Sequence, residues 1–274
     1  MTSFEFDGNR YKKASSHQKE WGQKLISEIH FIGTKKILDL GCGDGSLTSQ
    51  LAALVPDGRV IGVDASSGMI RTAKQIRKSN LEFLLLDINA LDFADQFDLI
   101  FSNAALHWIL DHERLLENCY RALVPGGAIR FNFAGQGNCS NFYAVVREAM
   151  EIDDYKEYFV GFSWPWYMPP VDTYRRAVEQ TRFRDSTVWL ENADRFFPDE
   201  DEMIRWIDQP AIVPFLEHIP ADRGKQFRDL VVERMIPRTK QADGTCFETF
   251  RRINVLAYKQ EPQQTDSELS AAGQ

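Results

Sequence analysis

The sequence predicts an α/β fold built on a doubly wound, mostly parallel sheet. Three observations carry that expectation. Strand and helix signals alternate from Lys36 to about Ala134, which places helices on both faces of a parallel sheet. The strands are short, apolar and often β-branched, as strands covered on both sides require. The run Ile37-Leu38-Asp39-Leu40-Gly41-Cys42-Gly43-Asp44-Gly45 passes from a buried strand into a glycine-rich turn and then a helix. At such junctions, open α/β sheets bind their ligands outside the carboxyl ends of the strands.

The elements follow in order. An amphipathic helix runs through about Ile29, and Ile37–Leu40 is the first strand. Ser46 to about Val55 is the helix after the turn. Val60–Asp64 is a β-branched run ending in an acid, and Ser66 and Ser67 cap a helix to about Lys78. Leu81–Asp87 is near-continuously apolar, the pattern of a strand buried on both faces. Phe97–Asn103 is the fourth strand. Asp111 caps a helix through Leu123 whose apolar positions Leu115, Leu116, Cys119 and Leu123 have helical spacing. Pro125-Gly126-Gly127 is a turn, and Ala128–Ala134 a fifth strand.

The pattern changes after Asn138. Residues 141–184 carry helical signals and the aromatic cluster Phe159, Phe162, Trp164, Trp166 and Tyr167, while Pro165, Pro169 and Pro170 make part of the segment irregular. Thr187–Phe196 reads as a strand, Asp199–Asp208 and Asp222–Met235 as helices, and Cys246–Lys259 as a final strand. Residues 261–274, rich in Gln, Ser, Asp and Ala, read as a disordered tail.

Composition narrows the function. The 274 residues are 43% hydrophobic and 26% charged, which suits one domain or one domain with an insertion. A net charge of −8 argues against a nucleic-acid binder, which shows a basic face. No apolar run approaches the roughly 18 residues of a membrane span, and Met1–Tyr11 lacks a signal-peptide apolar region. The four cysteines, Cys42, Cys119, Cys139 and Cys246, are scattered and lack metal-ligand spacing. They read as reduced thiols of a cytoplasmic protein with no metal site. The expected partner is a small molecule, with no nucleic acid and no membrane, and the chain is expected to be a monomer or homodimer.

The glycine-rich turn admits two cofactor classes. A dinucleotide fingerprint wants a glycine or small residue three places beyond its second glycine, where Ser46 stands. Here the run is Gly41-x-Gly43-x-Gly45, and Asp39 precedes it inside the strand. Asp64 lies about 20 residues past the turn, where a carboxylate accepts from two ribose hydroxyls. Met69, one turn into the next helix, either packs on an adenine face or fills the core.

The D-x-G-x-G-x-G pattern resembles the first motif of the class I S-adenosylmethionine-dependent methyltransferases. Phe97-Asp98-Leu99-Ile100-Phe101-Ser102-Asn103-Ala104-Ala105-Leu106-His107-Trp108 resembles that family's fourth motif, and Leu123-Val124-Pro125-Gly126-Gly127 its fifth-strand companion. Together these cover residues 36–135. The resemblance implies a seven-stranded Rossmann-like sheet closed by a late strand pair, with S-adenosylmethionine as the cofactor. It implies that Gly41, Cys42 and Gly43 hug the cofactor's methionine and ribose, with Ala65 beside Asp64. It also implies that Asp87 and Ile88 meet the adenine and Asn103 the sulfonium end.

Asn9-Arg10-Tyr11-Lys12-Lys13-Ala14-Ser15-Ser16-His17-Gln18 is similar to the lid of small-carboxylate methyltransferases, those acting on trans-aconitate and on juvenile hormone acid. That likeness implies that Tyr11, Gln18 and Trp21 cover the sulfonium. It organises the chain as a lid (1–30), a cofactor-binding core (31–138), a substrate cap (139–186), the rest of the sheet and its helices (187–260), and the tail.

Methyl transfer from a sulfonium is an in-line displacement that asks the protein chiefly for positioning. A carboxylate acceptor needs no base, whereas an alcohol, phenol or ammonium does. His107, just past the fourth strand, is the candidate base, the other reading being a structural or substrate-orienting histidine. Trp108, Trp164, Trp166 and Tyr167 are candidate walls of a substrate pocket. Arg130, Arg175 and Arg251 are candidate anchors for an acid. The expected function is S-adenosylmethionine-dependent methylation of a small molecule, with O-methylation of a carboxylate in view; the alternatives are a catalytically silent cofactor-binding scaffold and a nicotinamide dehydrogenase.

Overall fold

The computed structural model describes residues 16–29 and 33–261. Helix α1 spans Ser16–Ser27, and then strands and helices alternate: β1 Lys36–Leu40, α2 Ser46–Leu54, β2 Arg59–Asp64, α3 Ser67–Ala73, β3 Leu81–Leu85, β4 Phe97–Asn103, α4 His112–Ala122 and β5 Leu123–Ala134. The chain then forms α5 Ser140–Met150, α6 Val171–Glu179, β6 Arg184–Asn192, β7 Arg195–Phe197, α7 Glu200–Trp206, α8 Val213–Leu216, α9 Ala221–Thr239, β8 Cys246–Glu248 and β9 Arg251–Tyr258. Tyr11, the lid residues before Ser16 and the tail from residue 262 lie outside the described residues.

The main sheet has seven strands in the order β3-β2-β1-β4-β5-β9-β6. All neighbours are parallel up to β5, and β9 pairs antiparallel with both β5 and β6. The strand order reverses between β1 and β4, so a crevice opens above their carboxyl ends. Because β9 runs the other way, its first residues stand at that same end, with Arg252 opposite Ala134.

Side-chain alternation builds the two faces. Leu38 and Leu40 of β1, Ile100 of β4, and Ile129, Phe131 and Phe133 of β5 point to one core with α4 and α6. Ile37, Leu99, Phe101 and Ala128 point the other way, under Leu25 and Ile26 of α1, Leu51 of α2 and Val55 just after it. This is the period of two that a strand imposes. A third cluster lies off the sheet and joins α5 to α7, α8, α9 and β8 around Phe142, Trp206, Phe215 and Phe227. The cap is thus assembled from two stretches of chain, while Tyr174, Val178 and Phe183 pack into the sheet's own core.

Four expectations are corrected. The strand at Leu81 is an edge strand: Phe83 is buried, but Leu85 is 56% exposed. The helix after Asp64 stops at Ala73 rather than Lys78, since Asn80 donates its amide to the Ala52 and Val55 carbonyls, both at 2.8 Å, and draws the chain back toward the sheet. The strands expected at 187–196 and 246–259 each split, into β6 and β7 and into β8 and β9. The splits face one another, because Ala193 N–H donates to Phe250 O at 2.8 Å and Asp194 Oδ1 accepts from Phe250 N–H at 2.9 Å, turning both chains together into the cap. Pro125-Gly126-Gly127 is absorbed into β5 as an irregularity, where the partner of β4 jumps from Leu123 to Ala128.

Candidate active site

The three glycines of the turn answer different demands. All have positive φ: 72° at Gly41, 54° at Gly43 and 78° at Gly45. A Cβ at Gly41 would collide with Cβ of Ala105, so the turn after β1 can lie against the segment after β4 only with glycine here. A Cβ at Gly45 would stand 2.6 Å from Phe83, which makes that glycine a packing requirement. A Cβ at Gly43 meets nothing within 4 Å. Gly43 instead leaves open a space that belongs to a cavity of about 550 Å³ above the carboxyl ends of the strands.

Asp64 fastens the turn to the end of β2. Its Oδ2 accepts from Gly43 N–H and its Oδ1 from Ser66 N–H, both at 2.9 Å. Asp64 also lines the cavity, at the carboxyl end of β2. Asp39 does different work. It is buried, accepts from Thr48 Oγ at 2.7 Å, and its carboxyl is pushed up to about 7 chiefly by burial, with the Asp64 charge adding to that. Its place is structural, under the turn.

Helix α1 closes one side of the cavity. Lys19 Nζ lies 3.2 Å from Asp44 of the turn, and Asn103 Nδ2 donates to the Gln18 main-chain carbonyl at 2.8 Å. A carbonyl can only accept, so this bond fixes the Asn103 amide with its nitrogen toward α1 and its oxygen away. Asn103 Oδ1, Gln18 Oε1 and His107 Nδ1 are buried with no hydrogen-bond partner among the described residues. All three residues line the cavity. Unanswered buried polar atoms are costly, which suits a site shaped for a polar ligand. The next residue, Ala104, holds φ at 57° while its N–H donates to Asn132 O at 2.7 Å, a constrained backbone at the cavity floor.

The structure brings Gln18, Trp21, Gly41, Gly43, Asp64, Ala65, Met69, Asp87, Ile88, Asn103, His107, Trp108, Trp164 and Trp166 to this one cavity. Two expected residues stand elsewhere. The Cys42 side chain is buried beneath the turn against Gly62 and packs with Ile70, Ala73 and Phe83. Tyr167 packs its ring 4.8 Å from that of His112 and donates its N–H to His107 O at 2.8 Å, so it braces the wall from behind. His112 braces the same turn: Nε2 lies 2.9 Å from Leu106 O and Nδ1 2.8 Å from the Tyr174 hydroxyl. Its pKa is pushed down to about 4 by burial.

The expected arginines are all engaged outside the cavity. Arg130 pairs with Glu28 at 2.7 Å, Arg175 with Asp172 and the Val188 carbonyl, and Arg251 with Asp194. The arginine in the cavity wall is Arg252, which is 2% exposed. Its Nε donates to Asn132 Oδ1 at 2.8 Å, and its guanidinium lies 4.4 Å from the Trp21 ring centroid. The antiparallel direction of β9 brings both Arg251 and Arg252 to the ligand end, and since adjacent residues face opposite sides of a strand only Arg252 reaches the cavity. His107 is held well below the ordinary histidine range by burial first and then by the Arg252 charge, so its imidazole is neutral. Asn138, Tyr143, Trp206, His218 and Phe250 also line the cavity without being candidate site residues in the sequence, as does Ser66, read there only as a helix cap. Among the described residues no cluster of His, Cys, Asp or Glu could hold a metal ion, and no helix is long and apolar enough to cross a membrane.

Comparison with known proteins bears on the same crevice. The family described as a methyltransferase domain matches residues 37–127. The chain is 30% identical over 225 residues to a trans-aconitate 2-methyltransferase of Deinococcus radiodurans, covering 81% of this chain and 85% of that protein. Among solved structures it is similar to the YcgJ protein of Bacillus subtilis, with a TM-score of 0.60 at 17% identity over 89% of this chain and all of that one. It is also similar to a phosphoethanolamine N-methyltransferase 2 of Haemonchus contortus in complex with S-adenosyl-L-methionine, with a TM-score of 0.58 at 20% identity over 93% of this chain and 57% of that one.

Proposed function

Because this chain belongs to the class I S-adenosylmethionine-dependent methyltransferases, we propose that it transfers the cofactor's methyl group to the carboxylate of a small acid. The enzyme class and the cofactor follow from the family; the acceptor and the residue roles are the proposal. The relatives named trans-aconitate 2-methyltransferase support an acid as acceptor.

Bound S-adenosylmethionine supplies a methyl carbon on a sulfonium whose departure leaves a neutral thioether. Asp64, held at the cavity by Gly43 and Ser66, would accept from the ribose hydroxyls. Gly43 keeps the turn open at the point of closest approach. Asp87 and Ile88 border the adenine, with Met69 beside them. Asn103 Oδ1 and Gln18 Oε1, both acceptors without donors, suit the cationic end of the cofactor.

The observation that carries the carboxylate reading is Arg252, a buried guanidinium in the wall of the same cavity. It attracts an anion, and its planar fork matches a carboxylate. It also repels an ammonium acceptor. His107 orients rather than deprotonates. Burial and then the Arg252 charge hold its pKa well below the ordinary histidine value, so it is a poor proton acceptor. A carboxylate, ionised near neutral pH, asks for no base. The tryptophans about the cavity exclude water from the displacement.

The test is the chemistry of the product. Full-length enzyme is incubated with methyl-labelled S-adenosylmethionine and separate pools of acids, amines and phenols. Label appearing in a base-labile methyl ester, and falling at least about tenfold in Arg252→Gln with cofactor affinity retained, supports the reading. Label found only in base-stable amine or ether products overturns it.

A further inference from the structure

We propose that the acceptor carries one carboxylate on a predominantly apolar body, and that a tricarboxylate of the trans-aconitate type is a poor substrate. The inference rests on the carboxylate reading above and concerns the rest of the same cavity.

The wall beyond Arg252 is aromatic. Trp108, Tyr143, Trp164, Trp166, Trp206 and Phe250 all line it. They form a nearly continuous surface. The rings of Trp108 and Trp166 lie 5.3 Å apart, Tyr143 and Trp166 5.3 Å, and Tyr143 and Trp164 5.6 Å. Such faces gain by covering apolar atoms and lose by stripping water from an anion. Among the described residues Arg252 is the one lysine or arginine in the wall, His107 beside it is neutral, and His218, the other histidine there, packs its ring 5.0 Å from that of Phe162. The acids of the wall, Asp64 and Asp87, sit on the cofactor side and repel further negative charge. A second and third carboxylate would therefore be desolvated against indole rings without a cation to answer them.

The rim carries the same message. Leu110 lines the cavity yet is 49% exposed, and Val160, 84% exposed, adjoins the lining Gly161. Gly161 has φ of 76°, and a Cβ there would meet nothing within 4 Å. An apolar tail longer than the cavity can pass out along these residues with its carboxylate held at Arg252. A compact triacid uses none of that surface.

The experiment measures methyl-ester formation from four acids by the full chain with S-adenosylmethionine: decanoic and 4-phenylbutyric acids against trans-aconitic and citric acids. The expected result is a kcat/KM at least about tenfold higher for one of the apolar monoacids than for either triacid. In Trp166→Ala, KM for that monoacid should rise while the dissociation constant for S-adenosylhomocysteine stays within about twofold. Preference for trans-aconitate, or equal use of both groups, overturns this inference and leaves the carboxylate reading standing. If none of the four acids is esterified while S-adenosylhomocysteine still binds, the carboxylate reading itself falls and takes this inference with it.

Discussion

Arg252 Nε donates to Asn132 Oδ1 at 2.8 Å, across the antiparallel pair of β9 and β5. Asn132 is held in turn, since its Nδ2 donates to Asn254 Oδ1 at 3.0 Å, and Asn254 Oδ1 also accepts from Arg130 Nη1 at 3.1 Å. Arg130 ends the chain of contacts on Glu28 beyond α1. A row of buried polar groups under α1 thus fixes the guanidinium that faces the cavity. The same row of contacts joins Arg130, paired with Glu28, to Arg252 in the cavity wall.

Replacing Asn132 tests that arrangement. Asn132→Leu removes the acceptor from Arg252 Nε and leaves the charge in place. A charge-assisted hydrogen bond contributes about 1.5–3 kcal/mol, so KM for the acid should rise roughly 10- to 100-fold. Cofactor affinity should change little, because Asn132 does not line the cavity. Steady-state kinetics beside calorimetry with S-adenosylhomocysteine separates the two effects. An unchanged KM would mean that Arg252 needs no such support.

The glycine turn yields a paired prediction. Gly45→Ala drives a Cβ to within 2.6 Å of Phe83 at a φ of 78°, so it should lower stability by about 2 kcal/mol or more. Gly43→Ala carries a backbone penalty of about 1 kcal/mol but meets no protein atom within 4 Å. Its larger effect should fall on the cofactor, with affinity down by about tenfold or more where the Cβ enters the ligand's space. Denaturant midpoints and calorimetry on both variants check the contrast. The idea fails if Gly43→Ala binds S-adenosylhomocysteine as well as the parent chain does.

Asp64→Ala should cost roughly 10- to 100-fold in cofactor affinity, the range for charge-assisted hydrogen bonds to two hydroxyls. Asp64→Asn should keep part of that affinity, since its amide oxygen still accepts from Gly43 or Ser66. Equal affinity in Asp64→Ala and the parent would remove the ribose assignment.

Sequence pattern served best where one local rule governs. The glycine turn, the strand-end Asp64 and the caps at Ser66 and Asp111 were readable because each depends on neighbours in the chain. Pattern served less well where distant segments decide. Leu81–Asp87 reads as an interior strand, but nothing local states that β3 ends the sheet. Arg252 does not stand out from Arg251 in the sequence, because which face of β9 turns to the cavity is a property of the finished sheet. Glu248 caps α5 from about a hundred residues away, accepting from Phe142 N–H at 2.9 Å and Asn141 N–H at 3.1 Å, and no local motif announces it. Tyr167 belongs to the right aromatic segment, yet packing against His112 turns it from the cavity.

His112 makes stability depend on pH, and the sign follows from its surroundings. Burial favours the neutral ring and pushes its pKa from 6.5 to about 4. Its Nε2 lies against the Leu106 carbonyl and so carries the proton, which leaves Nδ1 to accept from the Tyr174 hydroxyl. Protonating Nδ1 forces a buried charge and reverses that bond, leaving the Tyr174 hydroxyl to accept. The folded-state pKa is depressed, so the stabilisation is complete above about pH 6.5 and is lost as pH falls toward 4. Between about pH 7 and pH 4.5 the loss from this one group should be about 2 kcal/mol. Urea unfolding of the parent and of His112→Gln at both pH values isolates it. The variant starts less stable at pH 7, because it loses the ring packing against Phe133 and Tyr174. The gap between the two proteins should narrow by about that amount at pH 4.5. A gap that stays constant across the window would show that the ring is already charged, or already solvated, in the native state.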